Sequence, residues 1–415
     1  VKKYEVAVIG GGFAGVAAAV AAARQGATVL LVTKDNCLGG AASNGLVNPF
    51  MPYKTTINGV KTALSQGIFK EIHTVLEQRG AMHNEDFDEE TLKIVLNELV
   101  LSNGVDLLFH AYIFAANKEG EKVKSVSLAT KSGVIELEAD YFIDCTGDAQ
   151  LAYLSGCPVR LGREQDNLCQ PMTLCFRVGN ADVDAFYSSI QKVQAEYKRW
   201  QSEGKITNPR ENILVFKTPN KGVLHFNTTR VVKKNPTDPF DVTEAEIIAR
   251  RQVFELWEFL KQTADGLEKA FIASTAAEIG VRESRMIEGE HTLTEKECRD
   301  CTKFPDAIAA CNYDIDIHNP EGSGTSHYYF PDGEYYTIPY RSLIPKGASN
   351  MLVAGRCISS DHGAQASYRI MPVVCCLGEA AGVAISLAAR DKVGVRDIDS
   401  AELRAKLKQN GAFIG

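Results

Sequence analysis

Tyr4-Glu5-Val6-Ala7-Val8-Ile9-Gly10-Gly11-Gly12-Phe13-Ala14-Gly15 is the stretch on which the fold turns. Residues 5–9 read as a short buried strand, 10–15 as a tight turn, and the small-residue run 16–24 as a helix able to pack closely. Gly26 ends that helix, and 27–32 is a second apolar strand. Strand, turn, helix and strand in this order form a right-handed βαβ unit, which belongs in a parallel sheet. The glycines have the spacing G-x-G-x-x-G in the context that gives it meaning. Gly10 allows the tight turn, Gly12 lets backbone approach a pyrophosphate, and Gly15 lets helix and strand touch, with the helix N-terminus facing the phosphates.

This fingerprint alone does not separate FAD from NAD. An acid is expected at the end of the second strand to bond the ribose hydroxyls. Thr33 stands there instead, followed by Lys34. A hydroxyl bonds a ribose more weakly than a carboxylate does, which lowers the case for NAD. A second glycine pair follows in Leu38-Gly39-Gly40-Ala41-Ala42-Ser43-Asn44-Gly45. It lets another length of backbone approach the same ligand, and the small side chains leave room for a flat ring. The same residues also read as a plain flexible loop.

Outward from there, helical patterns cover 60–79 and 89–102. Alternating segments at 107–116, 122–130 and 134–139 read as a β-meander, and 141–144 as a strand running into Thr146-Gly147-Asp148. Residues 182–201 and 243–262 read as long amphipathic helices, the second opened by Thr243 and Glu246 at capping-box spacing. Strands are expected at 212–217 and 222–227. The Gly-, Pro- and Asp-rich stretch 298–336 reads as a long wrapping loop. A strand at 350–354, Gly355, and a helix from near Pro372 to 390 restore the parallel-sheet signature. A last helix has Asp399 and Glu402 as its capping box. The expected architecture is α/β: a split Rossmann-like domain (1–165 and 336–415), with parallel sheet plus β-meander, interrupted by an inserted α+β substrate domain (166–335).

The 415 residues carry a net charge of −7, 45% apolar and 23% charged residues, which excludes collagen, coiled coil and wholesale disorder. An acidic balance argues against nucleic acid as partner. The apolar stretches 13–23 and 372–389 are short or interrupted by Glu379 and glycines, which argues against a membrane. The chain enters a strand at once, without a visible leader. Eleven cysteines, an odd number, point to reduced thiols and a cytoplasmic setting.

Residues 10–15, Gly39-Gly40, Phe142-Ile143-Asp144-Cys145-Thr146-Gly147-Asp148 and Leu352-Val353-Ala354-Gly355-Arg356 with its following helix resemble the FAD-dependent oxidoreductases of the glutathione-reductase-type fold. The likeness is nearest to a bacterial group of that description, itself distantly similar to the fumarate reductase, succinate dehydrogenase and aspartate oxidase flavoproteins. It runs through Gly280-Val281-Arg282-Glu283-Ser284-Arg285 and 338–345 as well. The resemblance implies non-covalent FAD. Gly10, Gly12, Phe13, Ala14 and Gly15 would lie at its pyrophosphate, Thr33 and Lys34 at the ribose. Gly39, Gly40, Ala41 and Ser43 would approach the diphosphate and flavin, and Ile113 would offer backbone to adenine. Thr146, Gly147 and Asp148 would lie beside the FAD. Gly355, Arg356, Asp361, Met371 and Pro372 would complete the flavin side. Pro372 suits a first helical turn, whose positive end favours the ring edge where charge develops on reduction.

Arg282, Arg285, Arg341, Arg369 and His362 fall in the family-like segments and are the expected catalytic residues. Arginine holds carboxylates bidentately or stabilises developing charge, and a His or Arg could move the accompanying proton. Arg282 and Arg285 read equally well as partners of Glu278, Glu283 or Glu288. Adjacent Asp361 and His362 would point to opposite faces of a strand. His291 and His327 read as surface or packing residues, and Tyr336 and Tyr340 as ligand-stacking or core residues. Cys298-Arg299-Asp300-Cys301 lacks the second pair a zinc or cluster site needs, and no metal is expected. Cys37 sits where a covalent flavin link could be imagined. No second glycine fingerprint follows, so a disulfide-reductase-type NAD(P)H domain is not expected. The sequence thus points to hydride transfer between flavin N5 and a small anionic or polyhydroxylated substrate, with an electron-transfer partner as a further option. A flavin-binding electron carrier or sensor remains an alternative reading. An RNA-modifying flavoprotein is another, opposed by the acidic charge.

Overall fold

The computed structural model describes residues 3–415. Strand β1 (Tyr4–Ile9), helix α1 (Phe13–Arg24) and β2 (Val29–Val32) form the expected βαβ unit. Around them lie β3 (Asp106–Leu108), β4 (Tyr112–Glu119), β5 (Lys122–Thr130), β6 (Gly133–Asp144) and β7 (Met351–Val353). The meander's last strand and the strand entering Thr146 are one twelve-residue element, β6. Its first half pairs antiparallel with β5, and its second half runs parallel between β1 and β7. The parallel order is β3-β2-β1-β6-β7. Ile9 is in register with Asp144, and Asp144 with Val353, so Gly10, Thr146 and Gly355 all emerge at one edge. Ligands of open α/β sheets bind outside this carboxyl edge.

Helix α2 (His362–Tyr368) leads into α3 (Met371–Asp391), which crosses α1 at close quarters. A Cβ at Gly378 would stand 2.0 Å from the Ala14 carbonyl oxygen, and one at Gly382 2.3 Å from that of Ala18. Two glycines a turn apart thus let the backbones touch. By length and apolarity α3 could cross a membrane, yet 89% of its apolar window is buried within the protein.

The central segment contributes an antiparallel sheet ordered Val215–Lys217, Leu224–Phe226, Phe176–Gly179, Phe271–Thr275. Helices Val183–Ser202 and Pro239–Thr263 pack beside it around Phe176, Phe186, Phe226, Leu256 and Phe259.

Several expectations are corrected. Residues 60–79 are not one helix: Lys54–Ile57 and Val60–Ala63 form a hairpin, and only Ile68–Gln78 is helical. Asn58-Gly59, both at positive φ, is the hairpin turn signal that the apolar spacing obscured. The stretch 298–336 is no loop. Ala307–Cys311 pairs with Tyr336–Pro339, and Ile315–His318 with Thr325–Tyr328, short strands hidden between turn residues. The long helix begins at Pro239 with Asp238 as its cap, so Thr243 lies a turn inside it. Asp399 caps its helix, but Glu402 pairs with Arg390 rather than closing a box.

Candidate functional site

The site begins at the end of α1. Gly10 sits at φ +111°, where a Cβ would fall 2.3 Å from the Cys145 carbonyl oxygen, and a Cβ on Gly15 would fall 1.7 Å from that of Gly10. Gly12 is different: nothing lies within 4 Å of the place its Cβ would take. It is the N-cap of α1, offers no side chain to the first-turn N–H groups, and no acid occupies that turn. Those donors need an outside acceptor, and a phosphate fits. The second glycine pair closes on the first, with Gly39 N–H donating to the Gly11 carbonyl at 2.8 Å and Gly39 bridged to Gly12. The N-terminus of α3 is likewise uncapped by any side chain and free of acids. A cavity of about 580 Å³ joins these features, lined by Gly12, Phe13, Ala14, Gly39, Ala41, Gly147, Gly355, Arg356 and Met371 at one end. Backbone donors at two helix ends, with room opposite Gly12, fit a dinucleotide.

Other expected cofactor residues are occupied internally. Thr33 is buried and bonds Asp35 at 3.2 Å. Asp35, two residues past Thr33, is tied to it and bridged by Lys34 to Glu278. Ser43 donates to the Leu38 carbonyl. Ile113 is buried in β4 opposite Leu128. Thr146 donates to Asp144 and accepts from Gln150 N–H, fixing the turn after β6. Asp148 accepts from Ser284 and Arg356. Gly40 packs against Gly12, and Pro372 lies in the first turn of α3. Asp361 is neither on a strand nor in the cavity wall: it caps α2, accepting from Ala364 and Glu295 N–H.

The other end of the cavity is built from side chains. Arg282 donates to the Pro171 carbonyl at 2.7 Å and to Thr173 at 2.6 Å. Burial, then the like charges of Arg369, Arg210 and Arg230, push its pKa down to about 9. Arg369 reaches Gln170, the Asp316 carbonyl and, at 3.7 Å, the Asp316 carboxylate, while its buried Nε has no partner among the described residues. Arg210, another cavity residue, makes one side-chain hydrogen bond among the described residues, to Asn212 at 3.4 Å. Behind them Arg230 is sealed against Glu211, His318 and Thr325. His318 accepts from Arg230 at Nδ1 and faces Asp316 through Nε2 at 3.2 Å. Burial and the charge of Arg282 push its pKa well down, so it stays neutral. Burial alone would raise the Asp316 carboxyl, but the His318 hydrogen bond and the charges of Arg369 and Arg282 hold it below the usual range. Four arginines against Glu211 and Asp316 leave this wall positive.

Of the expected catalytic residues, Arg282 and Arg369 line the cavity; Arg285, Arg341 and His362 do not. Arg285 lies over the Tyr153 ring and bonds Gln150. Arg341 pairs with Asp306 and keeps 46% of its side chain exposed. His362 opens α2 and bonds the buried Glu283 at 2.7 Å. Arg210, which sits in no motif, is a cavity residue that sequence reasoning missed, and His327, read there as a surface or packing residue, lines the cavity as well. Tyr336 and Tyr340 fill the core, bonding Ser367 and the Val395 carbonyl. All eleven cysteines are free, and burial raises the thiol pKa of Cys37, Cys298 and Cys301, disfavouring the reactive thiolate.

The family model for "FAD dependent oxidoreductase" matches residues 5–407. Dihydrolipoyl dehydrogenase of Acholeplasma laidlawii is 28% identical over 142 residues, 32% of this chain and 42% of that protein, so the match spans less than half of the relative. Among solved structures, a geranylgeranyl bacteriochlorophyll reductase-like protein from Thermoplasma acidophilum is similar with 13% identity, covering 98% of this chain and 83% of that one, TM-score 0.46. A p-nitrophenol 4-monooxygenase from Pseudomonas putida shows 11% identity over 98% and 83%, TM-score 0.45. Scores of this size leave reaction type and substrate open.

Proposed function

This chain belongs to the FAD-dependent oxidoreductase family, and we propose that it oxidises or reduces a small anionic organic molecule held by Arg210, Arg282 and Arg369. FAD, when bound, supplies the two-electron chemistry, its N5 taking or giving the hydride. The pyrophosphate would be held by Gly12, the first-turn N–H groups of α1 and the backbone of Gly39-Gly40, without a covalent link. The segment 166–335 would act as the cap that closes over the ring. The reading is supported chiefly by one observation: cationic side chains with unspent donors share a cavity with the uncapped ends of α1 and α3. Arg282, anchored by Pro171 and Thr173, is pre-set rather than flexible, and a carboxylate beside it would relieve like-charge crowding. Asp316 and His318 keep Arg369 and Arg230 in place and contribute a counter-charge.

The test is anaerobic bleaching of the holoenzyme's flavin absorption by small hydroxy and amino carboxylates, alongside their amides and neutral alcohols. The photoreduced enzyme is challenged in parallel with keto and unsaturated acids. Anions are expected to react and their neutral analogues to react at least ~100-fold more slowly, the cost of leaving buried donors unpaired. Equal rates for acids and amides would sink the proposal. Flavin that stays with the pellet on acid precipitation would overturn non-covalent binding.

A further inference from the structure

We propose that His327, oriented by Asp314, exchanges the substrate proton; this rests on the cavity being the substrate site proposed above. The hairpin Ile315–His318/Thr325–Tyr328 sets His327 opposite Asp316, and Asp314, two residues earlier, lies on the same face. His327 Nδ1 stands 2.6 Å from Asp314 Oδ2 and 3.7 Å from Asp316 Oδ1. A carboxylate at that distance makes Nδ1 the protonated nitrogen, which leaves Nε2 as a lone-pair acceptor. No described residue bonds Nε2. The Tyr329 ring lies parallel to the imidazole, its centroid 5.4 Å away and its plane 6° off. The side chain lines the cavity yet keeps 35% of its surface exposed, so one group touches both substrate space and water.

The neighbouring titratable groups are otherwise engaged. His318 is sealed between Arg230 and Asp316, Tyr313 donates to Asp316, and Asp316 serves as counter-ion to Arg369. Around His327 stand Asp314, Asp316 and His318 from its own hairpin and, beyond Asp316, Tyr313, Arg282 and Arg369. Asp314, Asp316 and His327 also have ligand atoms within 4.8 Å of one another, the spacing of a metal site. Asp314 is engaged by His327, Asp316 Oδ2 by His318 and Tyr313, and Arg369 beside Asp316 already supplies a cation, so proton transfer is the better use. In the oxidative direction a C–H bond breaks with its electron pair, and the family cofactor takes that hydride. The adjacent O–H or N–H bond breaks, its pair forming the new C=O or C=N bond, and its proton passes to Nε2. The imidazolium, paired with Asp314, then releases the proton to water. Reduction runs the same steps in reverse.

The test compares wild type, His327→Gln and Asp314→Asn as holoenzymes. The rate of flavin bleaching by the fastest anion of the panel is followed against pH, and ¹⁵N NMR of the histidine ring nitrogens is recorded. His327→Gln is expected to keep its flavin, lose at least ~100-fold in rate with KM within about threefold, and lose the low-pH limb of the profile. Asp314→Asn is expected to slow bleaching with flavin retained, and to move the neutral His327 ring from the Nδ1–H toward the Nε2–H form in the ¹⁵N shifts, because the carboxylate that holds the Nδ1 proton is gone. An unchanged rate in His327→Gln, or a change in KM alone, overturns the proposal. A His327 ring whose ¹⁵N shifts are unmoved by Asp314→Asn overturns it too. If no anion bleaches even the wild type, the substrate reading is what has failed, and the NMR comparison still decides the pair.

Discussion

The two ends of the cavity are made of different material. At the α1 end the wall is largely main chain: Gly12, Gly39 and Gly355 line it, and the place a Cβ would take at Gly12 is open. At the far end it is mostly side chain: Arg210, Arg282, the hairpin pair Asp316 and His327, and Arg369 arrive from four separate segments. A main-chain wall is stiff, since the strands and helices that carry it also hold the sheet together. A side-chain wall keeps its geometry only as far as neighbours brace each long arm. Substitutions should therefore be all-or-none at the first end and graded at the second.

The sharpest way to break this contrast is Gly15→Val. Its Cβ would fall 1.7 Å from the Gly10 carbonyl oxygen, and Gly10 cannot retreat, because it is itself packed against Cys145. Loss of bound FAD and destabilisation by more than ~3 kcal/mol are expected. Flavin-to-protein ratio and thermal unfolding measure both. A variant that kept stoichiometric FAD would show that the main-chain end is more compliant than its geometry says.

Glu379, on α3, is a smaller probe of the same stiffness. It is buried, and its Oε2 accepts from Ile68 N–H at 3.0 Å, capping a helix far away in sequence. Burial raises its pKa to about 7 from 4.5, against the opposing pull of the Ile68 hydrogen bond. A carboxyl that holds its proton more tightly when folded stabilises the protein while protonated. That contribution is complete below about pH 4.5 and is lost as pH rises through 7, amounting to ~3 kcal/mol across the window. Glu379→Gln should remove this slope and be the more stable protein at pH 8, as read from urea titrations at pH 5 and 8. Parallel slopes for the two proteins would contradict the assignment.

How much was legible in the sequence follows the same division. The glycine demands at Gly10, Gly12 and Gly15 are local, since each depends on a few consecutive dihedrals, and the βαβ unit could be read directly. The β6 strand was legible in pieces, because its halves serve two sheet environments. Arg285, Arg341 and His362 were chosen for standing in family-like segments. Their side chains turn instead to Gln150, Asp306 and Glu283, which no spacing rule reveals. Arg210 carries no motif at all, and the His327–Asp314 pair exists only because a hairpin folds where turn residues suggested a loop. Convergence of four segments is a tertiary property, and one sequence carries no local trace of it.

The smallest effect tests the bracing itself. Gln365, fully buried on α2, donates to the Arg282 carbonyl at 2.7 Å and accepts from Gln170 Nε2 at 3.0 Å. Gln170 in turn accepts at Oε1 from His318 N–H at 3.3 Å and from Arg369 at 3.5 Å. Two glutamines thus tie Arg282 and Arg369 to one hydrogen-bonded strut, without lining the cavity themselves. Gln365→Leu leaves the Gln170 amide and the Arg282 carbonyl unpaired in the interior, a cost of ~1–2 kcal/mol, or about tenfold, shared between fold and site. A raised KM for the reactive anion is expected, with FAD content unchanged and kcat moved less. Gln170→Leu should give a similar change, and the double variant should fall well short of the sum, because each single change already breaks the strut. If Gln365→Leu instead released FAD and left KM untouched, the strut would belong to the main-chain end, and the two ends would not be separable.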